Sequence, residues 1–280
     1  MNPLVDTAWL AERLDDPKLV ILDASWHMPA AMRNPDQEYA DGHIPGALRF
    51  DIDAVSDHSS ALPHMLPSPQ EFATAVRRLG VNADSTVVVY DTVGVMSAPR
   101  AWWTFRQMGH DEVFVLDGGL KAWLAQGRPV ETGWRDAPHG EFKAHARPGL
   151  VRDINAVRRA LEARTEQVVD ARPAARFTGE TPEPRAGLRS GHMPGAVNVP
   201  FGDLVKADGT LAAPEDIKAA FEAAGVDLGA PITTSCGSGI TACVLALGLA
   251  RIGREDVAVY DGSWTEWGGR EDTPVVTGAG

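Results

Sequence analysis

The two halves of the chain repeat the same short motifs, and this repeat limits the possible folds more than any other feature. Three pairs of segments match in the same order: residues 19–24 with 167–171, residues 42–47 with 191–196, and residues 113–119 with 257–263. The middle pair reads Gly-His-Ile-Pro-Gly-Ala and Gly-His-Met-Pro-Gly-Ala. A period near half of the 280 residues is far longer than that of a solenoid. The chain is therefore predicted to hold two copies of one domain.

Within each copy, short apolar strands alternate with amphipathic stretches of helical periodicity. The clearest helical stretches are 69–79, 99–108, 154–163 and 214–224. This alternation predicts an α/β fold in which each copy is a mainly parallel sheet flanked by helices. We expect an N-terminal domain over residues 1–130, a linker over 131–150, where proline and glycine interrupt the periodicity, and a C-terminal domain over 151–280.

The charge and hydropathy of the chain argue against two classes of partner. Its net charge is -12 at pH 7, whereas nucleic acids and anionic membranes favour basic surfaces. No basic region followed by an apolar stretch opens the sequence, and the longest apolar stretch, 240–250, is too short to span a bilayer. We therefore expect no nucleic-acid partner, no membrane contact and a cytoplasmic location.

The sequence around Cys236 favours a reactive thiolate. Residues 231–235 are typical of a short buried strand, and an apolar helix is expected from Ile240 onward, with glycines in the loop between them. Glycine lets successive backbone N–H groups converge, and a helix N-terminus adds partial positive charge, so both would stabilise a thiolate. The alternative is that Cys236 is a small buried hydrophobe, the interpretation that we prefer for Cys243 inside the helix.

The first copy lacks this cysteine. Its corresponding strand leads to Asp91, followed by Val93-Gly94-Val95. Ligands of open parallel sheets bind beyond the carboxyl ends of the strands, where both loops are expected. We therefore predict that the C-terminal copy is catalytic and that the N-terminal copy, with Asp91 at the cysteine position, supports it.

At this point the motifs identify a family. The series LDASW, YADGHIPGA, SAPRAWW and LDGGLKAW, followed by DARPAARF, PEPR, SGHMPGAVNVPF and SCGSGITA, covers nearly the whole chain in order. In this the chain resembles the two-domain rhodanese-type sulfurtransferases. Its loop, Cys-Gly-Ser-Gly-Ile-Thr, is similar to that of the branch that uses 3-mercaptopyruvate, with isoleucine replacing valine at position 240. The thiosulfate branch carries arginine and lysine where this chain has Gly237 and Ser238.

The resemblance implies a covalent mechanism. The Cys236 thiolate would take the sulfur of 3-mercaptopyruvate as a persulfide and release pyruvate. A thiol acceptor such as thioredoxin or a small thiol, or cyanide in vitro, would then take the outer sulfur. The backbone N–H groups of the loop would bind the anionic sulfur. The loop residues concerned are Gly237, Gly239, Ile240 and Thr241.

Five further side chains are assigned roles by the same resemblance. Arg176 and Arg185 align with arginines that hold the substrate carboxylate and carbonyl, for which a guanidinium fork is suited. Ser238, His64 and Asp53 align with a set in which aspartate orients histidine and histidine acts on the serine hydroxyl or relays a proton. Because His64 and Asp53 lie in the first copy, the site is expected between the domains.

Several other functions are compatible with parts of this pattern. Thiosulfate sulfurtransferase activity and a persulfide carrier with little turnover both keep Cys236 as the sulfur-bearing residue. A cysteine hydrolase built from Cys236, His64 and Asp53 is chemically conceivable, although the family motifs argue against it. A cysteine-dependent phosphatase is excluded, because it needs an arginine where this chain has Ala242. No cofactor is implied, and two cysteines without clustered histidines argue against a metal site.

Overall fold

The computed structural model of the chain describes residues 2–279. Its first half contains strands β1 (Leu4–Val5), β2 (Leu19–Asp23), β3 (Leu48–Arg49), β4 (Thr86–Tyr90) and β5 (Val113–Leu116). The helices of this half are α1 (Thr7–Ala11), α2 (Pro35–Asp41), α3 (Pro69–Arg78), α4 (Ala98–Gln107) and α5 (Gly119–Ala125).

The second half repeats this plan. Its strands are β6 (Val151–Arg152), β7 (Gln167–Asp170), β8 (Val197–Asn198), β9 (Ile232–Ser235) and β10 (Ala258–Tyr260). Its helices are α6 (Ile154–Ala163), α7 (Ala174–Phe177), α8 (Pro214–Ala223), α9 (Ala242–Arg251) and α10 (Ser263–Trp267). Short 3-10 helices lie at Pro29–Ala31, Pro148–Leu150 and Phe201–Leu204.

Each half forms a five-stranded sheet in which every strand pair is parallel. The strand order is β1-β5-β4-β2-β3 in the first sheet and β6-β10-β9-β7-β8 in the second. The identical order confirms the predicted α/β fold with two copies of one unit. β4 and β9 occupy the central position of their sheets, so the loops that begin at Asp91 and Cys236 leave equivalent points.

The predicted helices form where their sequences supply caps. Ser68 and Glu71 make a reciprocal capping box at the start of α3, and Asp153 accepts a hydrogen bond from the Ala156 N–H at the start of α6. The helix expected from Ile240 begins two residues later than predicted, at Ala242. The reason is local, because Gly239 adopts a left-handed conformation with φ of 79° that interrupts helical geometry.

The two halves share one hydrophobic core. Helices α4 and α9 pack against each other, and a single cluster of buried residues includes Trp102 from α4 and Leu249 from α9. Smaller clusters lie within each half, around Trp123 and around Trp264. Phe142, in the segment predicted as a linker, is also buried and packs against Phe72 of the first half. No helix among residues 2–279 is long and apolar enough to cross a membrane.

Two aspartates form reciprocal bonds between the halves. Asp117, which follows β5, accepts a hydrogen bond of 2.7 Å from the Leu211 N–H of the second half. Asp261, which follows β10, accepts one of 2.7 Å from the Leu66 N–H of the first half. The two aspartates belong to one of the repeated motifs, so equivalent residues make equivalent contacts across the interface. The interface is therefore pseudo-symmetric, and it brings the loop 64–66 against the second half.

Candidate active site

Residues of helix α10 form hydrogen bonds with the backbone at the start of the loop that follows β9. The Cys236 N–H donates to the Ser263 hydroxyl at 3.1 Å, and the Cys236 carbonyl accepts from the Trp264 N–H at 2.9 Å. The Gly237 carbonyl accepts from both the N–H and the hydroxyl of Thr265, at 2.8 and 2.6 Å. The next five backbone N–H groups, from residues 237 to 241, donate to no acceptor among residues 2–279. The loop therefore offers a run of unused donors beside the cysteine.

The equivalent loop of the first half shows what such donors bind. The Asp91 carboxylate, which is 1% exposed, accepts five backbone N–H hydrogen bonds of 2.8 to 3.1 Å. The donors are Val93, Gly94, Met96, Ser97 and Ala98. In the first half, the loop thus surrounds an anion that belongs to the protein itself. In the second half, Cys236 occupies the position of that aspartate, so a thiolate or persulfide would meet the same kind of donors.

Two guanidinium groups lie against this loop at Gly237. A Cβ built on Gly237 would be 3.3 Å from Arg176 Nη2 and 3.8 Å from Arg185 Nη1. The loop carries no cation of its own, and these arginines supply positive charge from a neighbouring segment. Burial lowers the pKa of the Arg185 guanidinium. Arg185 has no ion-pair partner in the described part of the chain, so it is free to bind a substrate anion.

Arg176, by contrast, is held in place by a buried carboxylate. Its Nε lies 3.2 Å from Glu183 Oε1, and its Nη2 bonds to the other oxygen of the same group. Arg172 Nη1 also binds Glu183 at 2.8 Å, and Arg172 is in turn paired with Asp170 at 2.8 Å. Both the Glu183 and Arg172 side chains are 1% exposed. This chain of pairs anchors Arg176 to the end of β7.

His64 and Asp53 come together as the sequence predicts. His64 Nδ1 lies 2.7 Å from Asp53 Oδ1, and Trp26 Nε1 donates to the other carboxylate oxygen at 3.1 Å. The contact with His64 lowers the pKa of the Asp53 carboxyl. On its other side, His64 Nε2 lies 3.5 Å from Arg185 Nη2. Because a guanidinium only donates, a ring that accepts this contact at Nε2 carries its proton on Nδ1, beside the carboxylate.

The predicted link from His64 to Ser238 is not formed. Ser238 is 5% exposed, and its hydroxyl makes no hydrogen bond to any described residue. The structure thus joins Asp53 to His64 and leaves Ser238 on the loop without that partner. Ile240 is 2% exposed and packs in the core, while Thr241 is the residue before the first turn of α9. Neither backbone N–H group has an acceptor among residues 2–279.

Arg100 is a residue of the site that sequence analysis missed. It lies in α4 of the first half and is 3% exposed. Its Nη1 is 2.7 Å from Asp261 Oδ1 and donates to the Gly239 carbonyl at 3.2 Å, while its Nη2 donates to the His64 carbonyl. Asp261 and Asp117 occupy equivalent positions in the repeated segments 257–263 and 113–119, and this repetition is the one signal of the contact that the sequence offers.

Cys243 packs in the core, as expected. Its Sγ donates to the Gly239 carbonyl at 3.2 Å, and burial raises the pKa of this thiol strongly. Both cysteines are free thiols. Among residues 2–279, no three histidine, cysteine, aspartate or glutamate side chains are grouped so as to hold a metal ion.

Comparison with known proteins gives consistent matches over nearly the whole chain. A family model described as "Rhodanese-like domain" matches residues 6–126 and 153–270. The 3-mercaptopyruvate sulfurtransferase of Escherichia coli K12 is 49% identical over 97% of this chain and 96% of that protein. The mitochondrial thiosulfate/3-mercaptopyruvate sulfurtransferase 1 of Arabidopsis thaliana is 44% identical over 98% of this chain and 78% of that protein.

A solved structure agrees with these matches. The crystal structure of SseA from Escherichia coli, described as a 3-mercaptopyruvate sulfotransferase, superposes with a TM-score of 0.87 at 47% identity. The superposition covers 94% of this chain and 99% of SseA. The similarity therefore extends to both halves and to the interface between them.

Proposed function

The chain belongs to the rhodanese family and is a sulfurtransferase, and we propose that it takes the sulfur of 3-mercaptopyruvate as a persulfide on Cys236. The observation that carries the proposal is the set of groups around Gly237. The loop offers unused N–H donors to an anionic sulfur, while an unpaired Arg185 and an anchored Arg176 face the same point. A 2-oxo acid with a thiol at C3 needs those two kinds of contact together.

The first step transfers sulfur and moves one proton. The Cys236 thiolate attacks the sulfur of 3-mercaptopyruvate, forming an S–S bond and breaking the bond between sulfur and C3. The electron pair of that bond goes to C3, giving the enolate of pyruvate. The proton that leaves the transferred sulfur balances the one that C3 must gain. The products are an anionic persulfide on Cys236 and pyruvate, so no external oxidant or reductant is needed.

The charges of this step match the groups of the site. Negative charge develops on the keto oxygen as the enolate forms, and a guanidinium that can donate to it lowers the barrier. Arg185 suits that role because no carboxylate within residues 2–279 forms an ion pair with it. The backbone N–H groups of residues 237–241 would stabilise the sulfur anion before and after transfer, as five N–H groups of the first loop do for the Asp91 carboxylate.

Proton transfer to C3 would involve the groups beside the loop. With its proton on Nδ1 beside Asp53, His64 would present the lone pair of Nε2 toward Arg185. Substrate bound between Arg185 and Ser238 would lie where Nε2 can accept a proton from the thiol and return it to C3. Ser238 would complete this path through its hydroxyl, which has no partner in the described chain.

The second step returns the cysteine. A thiolate attacks the outer sulfur of the Cys236 persulfide, the S–S bond to Cys236 breaks, and the electron pair restores the Cys236 thiolate. A dithiol such as thioredoxin or a small thiol would serve as the acceptor, since no cofactor is needed for this exchange. Both cysteines are free thiols, which fits a reducing cytoplasm, where we place the reaction.

Thiosulfate is the second candidate donor. It is a dianion, and the two arginines at Gly237 give it a cationic surface even though the loop itself lacks the cations of thiosulfate enzymes. The Arabidopsis relative is named for both donors. We favour 3-mercaptopyruvate because an open arginine beside a histidine suits a keto acid that must also exchange a proton.

The proposal is tested by comparing the two donors in separate reactions and by measuring the mass of the peptide that contains Cys236. The purified protein would be incubated with 3-mercaptopyruvate or with thiosulfate, each with cyanide, and thiocyanate formation would be compared. Without cyanide, peptide mass spectrometry should find one added sulfur atom on Cys236. Cys236→Ser should abolish transfer, whereas Cys243→Ser is the matched control and should retain it. Faster turnover of thiosulfate, or an unmodified Cys236, would contradict the proposed donor or the proposed nucleophile respectively.

A further inference from the structure

The Arg100 side chain connects the two parts of the site that come from different halves of the chain. Its guanidinium contacts three acceptors: the Gly239 carbonyl of the cysteine loop, the His64 carbonyl of the first half, and the Asp261 carboxylate that follows β10. Residue 239 has to be glycine for this approach, because a Cβ there would lie 2.8 Å from Arg100 Nη1. One planar group thus fixes the distance between the loop 236–241 and the segment that carries His64.

The Asp261 carboxylate binds both Arg100 and the backbone of the segment that carries His64. One oxygen lies 2.7 Å from Arg100, and the other accepts from the Leu66 N–H at 2.7 Å. The backbone on both sides of Met65 is therefore bound, at the His64 carbonyl by Arg100 and at the Leu66 N–H by Asp261. His64 itself has a left-handed backbone with φ of 61°, which a non-glycine residue adopts only when its surroundings impose it.

We propose that Arg100, paired with Asp261, is a positioning residue that sets His64 against the Cys236 loop. The inference rests on the proposed function, since His64 and Cys236 are the groups that it aligns. Within residues 2–279, Arg100 makes no hydrogen bond to the Cys236 sulfur, and its hydrogen bonds reach the site through the backbone carbonyls of residues 64 and 239. Its charge also interacts electrostatically with Cys236. Burial of a charged pair at 3% and 5% exposure is costly and is maintained here by four polar contacts.

Arg100→Lys is the sharpest test. Lysine preserves the positive charge that Asp261 needs, but one ammonium group cannot reproduce a planar fork shared among three acceptors. With the donor that the wild-type protein turns over fastest, we expect kcat to fall by about 10- to 100-fold while KM stays within about threefold. Arg100→Met, which also removes the charge, should reduce kcat at least as much and lower the melting temperature.

A double-mutant cycle with His64→Ala distinguishes an effect of Arg100 on the position of His64 from a general loss of rigidity at the interface. If Arg100 acts by placing His64, then Arg100→Lys should cost no more than about twofold in kcat once His64 is alanine. An equal loss in both backgrounds would overturn the proposal, and so would a His64→Ala protein with wild-type kcat. The activity of the wild-type protein toward 3-mercaptopyruvate decides the proposed function separately, because the cycle is run with the preferred donor.

The pseudo-symmetric contact on the other side of the interface provides the matched control. Asp117 binds the Leu211 N–H at 2.7 Å as Asp261 binds Leu66, and Arg251 Nη1 lies 3.8 Å from Asp117. Asp117→Asn changes an equivalent interdomain contact on the Asp91 side, remote from the Cys236 loop. It should leave kcat and KM unchanged, whereas Asp261→Asn should lower kcat. Equal losses in the two variants would show that any interface damage reduces activity and would overturn the assignment.

Discussion

Replacing Arg185 with methionine should remove a substrate contact with little effect on the fold. The guanidinium has no ion-pair partner among residues 2–279, and burial already lowers its pKa, so its removal leaves no protein charge unpaired. Charge-assisted hydrogen bonds contribute about 1.5–3 kcal/mol, which corresponds to a loss of about 10- to 150-fold in kcat/KM. The loss should be greater for 3-mercaptopyruvate than for thiosulfate, because thiosulfate has no keto oxygen to stabilise.

The assay is steady-state kinetics with both donors, together with urea unfolding. Arg159→Met, at an exposed arginine of α6, controls for loss of a positive charge elsewhere. Arg176→Met provides a contrast, because it removes a partner of the buried Glu183 and should lower the free energy of unfolding as well as the activity. A fall of less than about threefold in kcat/KM for Arg185→Met would refute the argument that this arginine binds the substrate anion.

Three further predictions concern the two equivalent loops. Gly237→Ala should lower kcat/KM by about tenfold or less in steady-state assays, because its Cβ would lie 3.3 Å from Arg176 Nη2 and displace it; unchanged kinetics would contradict this packing. Iodoacetamide near neutral pH should modify Cys236 ahead of Cys243 in peptide mass spectrometry, because the raised pKa of Cys243 keeps that thiol protonated, and modification in the reverse order would refute the assignment. Asp91→Asn places an amide donor among backbone donors and should lower the free energy of unfolding in urea by about 1–3 kcal/mol, with catalysis retained; unchanged stability would contradict the role of this carboxylate.

The fold could be predicted from the sequence because the patterns that indicate its strands and helices are local and occur in both halves. The alternation of apolar strands and amphipathic helices predicts the parallel sheets, and caps such as Ser68 and Asp153 place the helix starts. The start of α9 was predicted two residues early, because the sequence does not reveal that the backbone of Gly239 is left-handed. The domain boundaries at residues 130 and 150 remain a prediction.

The sequence predicted which residues lie at the site, but it did not predict several of the contacts between them. Asp53 and His64 do meet, yet the hydroxyl of Ser238 is not bound to His64. The bonds of Arg100 and Glu183 could not be inferred, because both depend on side chains distant in sequence meeting at a buried point. Spacing within a motif carries no information about such tertiary partners. The roles of the site residues therefore stay predictions that the variants above will decide.

The reciprocal contacts of Asp117 and Asp261 have the geometry of an isologous dimer interface within one polypeptide. In a dimer of identical chains, every substitution would appear twice, once at each of two equivalent sites. In this fused chain, a substitution appears once, so each loop can change without altering its counterpart. One position can therefore hold a buried carboxylate, Asp91, while the equivalent position holds the thiol of Cys236. Covalent linkage thus allows two halves of the same fold to keep different side chains at equivalent positions.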